Sequence, residues 1–301
     1  MRVSIITITF NDLKGLRETY RSIKGQTMRD YEWIVVDGGS TDGTKAFLEE
    51  HKEDMAWWCS EPDKGVYNAQ NKGTQHARGE YCIYMNSGDS FFSDDVLGKI
   101  FEKETDADII YGDWMLRFEN GKTRLGRAPK VADLLYFFDE NMCHQAMLIR
   151  TETLKSRPYD ETFRIYADWD EWLALYMQGK TFERRDITVC CFLVGGISTG
   201  DEATPSLKAE RKAEIKRIQE RYYPEQWRSI LPRVKGILRE YDSLSTWAEE
   251  NGTGSLGAAL GERQYLIGKR RKHNRIIRLL LYICCLSLAV NVALLVFIHY
   301  I

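Results

Sequence analysis

With 301 residues the chain exceeds what one minimal domain needs and can bury a substantial core with extensions around it. Charged residues make up 29% of it yet nearly cancel, to a formal net charge of -2, which excludes a globally basic surface built for nucleic acid. The seven cysteines include no C-x-x-C pair of the kind that cages zinc, and they read as reduced core or membrane residues.

Met1 and Arg2 lead straight into an apolar alternation over residues 3–10, which predicts a strand rather than a signal peptide, so the N-terminal bulk is expected in the cytosol. An amphipathic helix over residues 13–24 and a strand over 31–37 complete a β-α-β unit with a right-handed crossover. Further strands are predicted over residues 56–60, 81–85, 108–111, 147–150 and 187–193, and helices over 44–51, 66–77, 94–103 and 168–178. That alternation predicts an α/β fold with a mostly parallel central sheet. Asn120-Gly121, flanked by strand-like residues from Trp114 to Leu125, is a hairpin signal. Charged helices are predicted over residues 205–222 and 224–241, and residues 251–261 are glycine-rich and linker-like.

Residues 279–298 run LLLYICCLSLAVNVALLVFI, long enough to cross a bilayer as a helix and without a charged side chain. Lys269, Arg270, Arg271, Lys272, Arg275 and Arg278 stand just before it, and such a cluster stays on the cytoplasmic side. The expected division is an α/β domain over residues 1–203, a helical extension or stem over 204–250, a linker and basic juxtamembrane segment over 251–278, and a single transmembrane helix over 279–298.

In open α/β sheets ligands lie beyond the carboxyl ends of the strands. Thr9 and Asn11 follow the first strand. Asp37 closes the second, within VVDGGSTDGT, where its carboxylate either accepts from a base or ribose or shapes a capped turn. The strand over residues 81–85 ends in Asn86-Ser87-Gly88-Asp89, which sets a carboxylate at the sheet edge, suited to a hard divalent cation bridging diphosphate oxygens. Asp168 and Asp170 open a predicted helix, where they are either dipole partners or chemistry.

The order TITFN (7–11), VVDGGSTDGT (35–44), EPDKGVYNAQNKG (61–73), YMNSGD (84–89), CHQAMLIR (143–150), ADWDEWLAL (167–175) and GGIS (195–198) resembles the family 2 glycosyltransferases with the GT-A fold. It is most similar to the single-addition enzymes of bacterial surface-polysaccharide assembly, over residues 1–199. The resemblance implies a nucleotide-sugar cleft in which Thr9 and Asp37 hold the base, with Asn11 beside them, Lys64 and Asn71 near the nucleotide, and Asn86 and Ser87 at the ribose or donor sugar. It implies that His144 and Gln145 lie near the acceptor and diphosphate, and that Ser198 sits in a loop closing over the donor. The family's D-x-D is replaced here by NSGD, leaving Asp89 as the carboxylate ligand of an Mn²⁺ or Mg²⁺ ion. Where family members show Glu-Asp at a helix head this chain has Ala167-Asp168, so Asp168 is the expected base and Asp170 its reserve.

Trp114, Trp169 and Trp172 are either a sugar platform or core. The Q-x-x-R-W motif and the several membrane helices of processive members are absent, which points to one sugar per acceptor. The implied partners are a nucleotide-sugar donor, UDP-sugar foremost, a saccharide or lipid-linked acceptor, and the membrane. No nucleic acid is implied, and pairing of two protomers is compatible with the anchor. Two other classes stay open: a nucleotidyltransferase, which needs a glycine-rich phosphate loop that TITFND lacks, and a non-catalytic nucleotide-sugar-binding scaffold. The transferase reading requires Asp89 and Asp168 to share one cavity.

Overall fold

The computed structural model describes residues 1–118, 120–195 and 204–250, with side chains as far as residue 239. Met1–Pro224 form one compact unit and Glu225–Ile301 a second. The first carries β1 (Val3–Thr9), α1 (Leu13–Gly25), β2 (Tyr31–Asp37), α2 (Thr44–Glu50), β3 (Trp57–Ser60), α3 (Val66–His76), β4 (Tyr81–Tyr84), β5 (Ser90–Phe91) and α4 (Val96–Phe101). It continues with β6 (Ile109–Arg117), β7 (Thr123–Gly126), β8 (Met147–Arg150), α5 (Thr151–Ser156), α6 (Ala167–Met177), β9 (Phe182–Leu193) and α7 (Pro205–Tyr222). Of the second unit, α8 (Glu225–Glu250) is described, with Pro232 inside it.

One sheet runs in the order β3-β2-β1-β4-β8-β6-β9-β5, with β7 paired to β6. β1 is buried without interruption from Val3 to Thr7, as in a strand covered on both faces, and its polar Ser4 and Thr7 are hydrogen-bonded to Glu32 and Trp33. Its parallel registers align Thr9 with Asp37, and Asp37 aligns in turn with Ser60, so the three end together at the carboxyl edge. The α3 helix lies close on β1 and β2: a Cβ added at Gly73 would stand 2.6 Å from Ile6 Cγ2, so the approach requires glycine.

The sheet is mixed, which corrects the mostly parallel expectation. β1 through β4 are parallel, but β8 runs antiparallel to both β4 and β6, β7 to β6, and β5 to β9. The reason is connectivity: a strand reached by a hairpin or a loop, without a helical crossover, can return antiparallel. The hairpin at Asn120-Gly121 forms as expected, pairing Arg117 with Thr123. The strands expected over residues 108–111 and 187–193 are longer than their apolar runs, because β6 and β9 lie side by side from Ile109↔Phe182 to Arg117↔Leu193, with irregular register between Tyr111 and Trp114.

The helix α7 starts as its sequence signals, with Thr204 Oγ1 accepting from Leu207 N at 3.2 Å and proline in the first turn. It belongs to the first unit, to which it returns several side chains. The linker and juxtamembrane segment over residues 251–278, the apolar run 279–298 and Ser198 lie outside the described residues. Among the described residues no helix is long and apolar enough to cross a membrane.

Candidate active site

A cavity of about 690 Å³ opens in the first unit, and both Asp89 and Asp168 line it. Asp89 is delivered by the turn after β4. Gly88 adopts φ +88°, Asp89 N–H donates to Asn86 O at 3.0 Å, and the Asp89 Oδ2 accepts from Asn86 N–H at 3.1 Å. Thr19, buried on α1, fixes this turn from below, its Oγ1 accepting from Gly88 N–H at 3.1 Å and standing 2.7 Å from Asp89 O. Gly15 lets α1 come this close, since a Cβ there would sit 2.7 Å from Gly88 N.

Asp168 comes from the first turn of α6, and it does not cap that helix. Its Oδ1 accepts from Trp169 N–H at 2.8 Å and stands 3.3 Å from the Tyr67 hydroxyl, whose proton goes to Ile165 O at 2.5 Å. Burial, reinforced by the Asp168 charge, pushes the Tyr67 phenol well above its ordinary range, so Tyr67 stays a neutral donor.

His144 and Gln145, just ahead of β8, join the two carboxylates. Gln145 Nε2 donates to Asp89 Oδ2 at 3.1 Å. His144 Nδ1 lies 3.3 Å from Asp168 Oδ2, and its Nε2 lies 3.2 Å from Asn86 Nδ2. An amide donating to Nε2 leaves the ring proton on Nδ1, where it donates to Asp168 and fixes that carboxylate's orientation. A continuous chain of contacts thus runs from Asp89 through Asn86 and His144 to Asp168. Burial lifts the Asp89 carboxyl from its ordinary range to about 6, against the opposing pull of the Gln145 hydrogen bond and the neighbouring His144.

Ser87 and Trp114 also line the cavity, whereas Trp169 and Trp172 are 3% and 0% exposed and belong to the core. The expected nucleotide residues divide. Asp37 is fully buried and its carboxylate is taken by Ser40 and by Ser60 Oγ at 2.6 Å, so in this arrangement it shapes the turn at Gly38 and Gly39. Asn11 buttresses the same turn, accepting from Thr41 N–H at 2.9 Å from a left-handed backbone, φ 50°. Thr9 keeps a buried Oγ1 without a hydrogen-bond partner at this carboxyl edge, and Lys64 is exposed.

Asn71 and Asp170 stand apart from this cavity. The Asn71 amide is used on the loop before α6, donating to Tyr159 O and Glu161 Oε1, each at 3.0 Å, and accepting from Tyr159 N–H at 2.9 Å. Asp170 points to the other side of α6, 1% exposed, where Arg221 reaches it at 2.7 Å and Arg157 at 3.2 Å. It cannot serve as a reserve base without breaking a buried ion cluster.

Comparison with known proteins identifies the fold and family. A family model described as glycosyl transferase family 2 matches residues 4–168, more than half of the chain. The chain belongs to this family. An uncharacterized glycosyltransferase of Mycobacterium tuberculosis is 45% identical to it over 204 residues, covering 66% of this chain and 76% of the relative. A PGL/p-HBAD biosynthesis glycosyltransferase of Mycobacterium bovis is 33% identical over 174 residues, covering 56% of this chain and 66% of the relative.

Residues 1–349 of S. aureus TarS, solved in complex with UDP-GlcNAc, superpose with a TM-score of 0.56 at 17% identity, covering 77% of this chain and 69% of that one. Against the longer TarS chain the match spans 37% of that chain's length. The mannosyltransferase PcManGT from Pyrobaculum calidifontis, solved with GDP-Man and Mn²⁺, superposes with a TM-score of 0.55 at 17% identity, covering 91% and 82%. At these identities the likeness is one of fold, and the fold is α/β of the GT-A kind.

Two residues that bear on the candidate site, Tyr67 and Glu214, are not singled out by the motifs. Tyr67 sits inside EPDKGVYNAQNKG as an ordinary apolar helix position, yet its hydroxyl reaches Asp168. Glu214, on α7, accepts from the backbone N–H groups of Arg164, Ile165 and Tyr166 at 2.7, 3.0 and 2.9 Å, immediately before α6. Nothing in a charged helical stretch singles out one glutamate, and only its burial, at 8% exposure, sets it apart.

Proposed function

We propose that this transferase moves a single sugar, with inversion, from a nucleotide-diphosphate sugar to a hydroxyl of a saccharide or lipid-linked acceptor in cell-surface polysaccharide synthesis. A UDP-sugar is the first donor to test. The observation that carries the reading is the shared cavity of Asp89 and Asp168, joined through Asn86, His144 and Gln145. The UDP-GlcNAc and GDP-Man complexes of the proteins with this fold support the donor class.

In the proposed reaction the Asp168 carboxylate takes the acceptor hydroxyl proton while that oxygen attacks the anomeric carbon, and the bond to the diphosphate breaks with its electron pair leaving on oxygen. His144 holds Asp168 by donating from Nδ1, and Tyr67 keeps its neutral hydroxyl 3.3 Å from the other carboxylate oxygen. Asp168 and Asp89 are each 6% exposed, which limits water, the competing nucleophile.

The residues present fit a divalent cation. Asp89 Oδ1 has no protein donor among the described residues, and Asn86 Oδ1 is buried without a partner, so two oxygens of one turn are uncommitted. Asp89 Oδ1 and Asn86 Oδ1 are the oxygens that would hold Mn²⁺ or Mg²⁺. When bound, such an ion would neutralise charge developing on the leaving diphosphate.

The apolar run over residues 279–298 and the basic cluster before it support a single-pass anchor with the cleft facing the cytoplasm. Carbonate-resistant sedimentation with membranes tests the anchor. The function itself is tested by incubating the full chain with Mn²⁺ and a panel of nucleotide sugars, following release of nucleoside diphosphate and the anomeric configuration of the product. Release with inverted configuration is expected. A folded protein that binds no donor in the panel would instead favour the scaffold reading, and a retained configuration would remove Asp168 as a simple base.

A further inference from the structure

The cavity is chemically divided. Its polar groups gather around Asp89 and Asp168, while much of the remaining lining is hydrocarbon supplied by the β6–β7 hairpin and the end of β9. Trp114 and Leu116 project from one face of β6, since they are two residues apart, and Leu116 is paired across to Phe192. The Trp114 indole is laid flat across Gly126: a Cβ there would fall 2.1 Å from its Nε1. Three further aliphatic side chains, from three different elements, remain open to solvent on the same cavity: Val66 at 39%, Leu125 at 36% and Leu193 at 49% exposure. Charged groups on this side are Arg124 and Arg164, and Arg164 is held by Glu210 at 2.8 Å.

A free saccharide would set hydroxyls against this hydrocarbon without hydrogen-bond partners, at a cost. An alkyl chain would lose nothing there and would cover exposed apolar surface. We infer that the apolar part of the cavity is a subsite for the hydrocarbon chain of an amphiphilic acceptor, whose hydroxyl-bearing head reaches Asp168 while its chain lies along Trp114, Leu116 and Phe192 and leaves past Leu125 and Leu193. The inference rests on the transferase reading for its head group. The wall itself is independent of turnover.

The test uses the full chain in lipid nanodiscs and a β-glucoside carrying a hexyl chain that ends in a diazirine. After irradiation, labelled peptides are mapped by mass spectrometry, with hexyl β-glucoside and methyl β-glucoside as competitors. Label is expected within residues 109–126 and 182–193. Hexyl glucoside should compete at least about ten-fold better than methyl glucoside, the equivalent of burying only a couple of methylene groups. The double variant Leu125→Asp with Leu193→Asp should lose most of the label while keeping its fold, because both side chains are already exposed. Label that avoids these strands, or that the two glucosides displace equally, overturns the subsite. Labelling as expected without transfer from any nucleotide sugar would instead remove the transferase reading and leave the subsite standing.

Discussion

Replacing Glu214 by alanine tests whether α7 is part of the catalytic apparatus. The Glu214 carboxylate accepts from three successive backbone N–H groups at 2.7, 3.0 and 2.9 Å, and the last belongs to Tyr166, the N-cap residue of α6, whose own side chain makes no capping bond. Glu214 therefore supplies, from a distant helix, the acceptor for the N-cap N–H that in a capping box comes from the helix's own third residue. Hydrogen bonds to a charged acceptor contribute about 1.5–3 kcal/mol each, but a loop that relaxes toward water recovers much of that, leaving a net cost of about 3 kcal/mol.

Asp168 lies two residues beyond Tyr166, so that cost falls on the placement of its carboxylate against His144, at 3.3 Å. Asp89 and Asn86 stand on a different turn, fixed by Thr19, and donor affinity should be nearly unchanged. In steady-state assays of nucleoside-diphosphate release, Glu214→Ala should lower kcat by about 10²-fold with little change in donor KM, at about 1.4 kcal/mol per factor of ten. Glu214→Gln, which keeps one acceptor oxygen, should recover part of the loss. Hydrogen exchange at residues 164–168 should quicken in step. A variant that loses thermal stability but keeps its kcat would refute the reasoning, because the contact would then be structural only.

Other perturbations bear on separate parts of the structure. Asp89→Asn should reduce donor affinity in Mn²⁺ to the level of the metal-stripped wild type and make the protein indifferent to EDTA; a variant still stabilised by Mn²⁺ would show that the ion binds elsewhere. Burial lifts Glu171 to about 8, despite the attraction of Arg157, so the folded state holds a proton that the unfolded chain releases near pH 4.5. Its contribution is thus present below that pH and is lost as pH rises toward about 8, by a few kcal/mol at about 1.4 kcal/mol per pH unit. Denaturant titrations at pH 5 and pH 8 should show a smaller pH difference in Glu171→Gln, and parallel behaviour of the two proteins would count against it. Gly73→Ala pushes a methyl to within 2.6 Å of Ile6 Cγ2 and should cost about 1–3 kcal/mol, read as a lowered Tm with the cavity otherwise intact.

Much of the site can be read along the chain because its parts are local. The β1-α1-β2 opening declares itself through a two-residue and then a 3.6-residue period, and NSGD follows a strand whose partners force it to the carboxyl edge. Asp168 and Asp170 were harder to separate, since both open the same helix. Two residues apart on a helix means roughly 200° around its axis, so when one faces the cavity the other faces away, and only packing decides which. That decision lies with Arg157 and Arg221, which claim Asp170. The contacts of Asn71 are hidden for a similar reason, because its partner segment near Tyr159 is 88 residues distant. Glu214 is 48 residues from Tyr166 and carries no motif at all. The antiparallel strands β5 and β8 likewise depend on neighbours that no apolar run specifies.

The most direct test is Asp168→Asn, which preserves the shape of the side chain and, through its one oxygen, the bond from Trp169 N–H, while removing the proposed base and the acceptor for His144 Nδ1–H. Transfer to acceptor should fall by about 10³-fold, within the range a positioned general base supplies, while donor binding in Mn²⁺ measured by thermal shift stays the same. Undiminished transfer by Asp168→Asn would place the base at another residue.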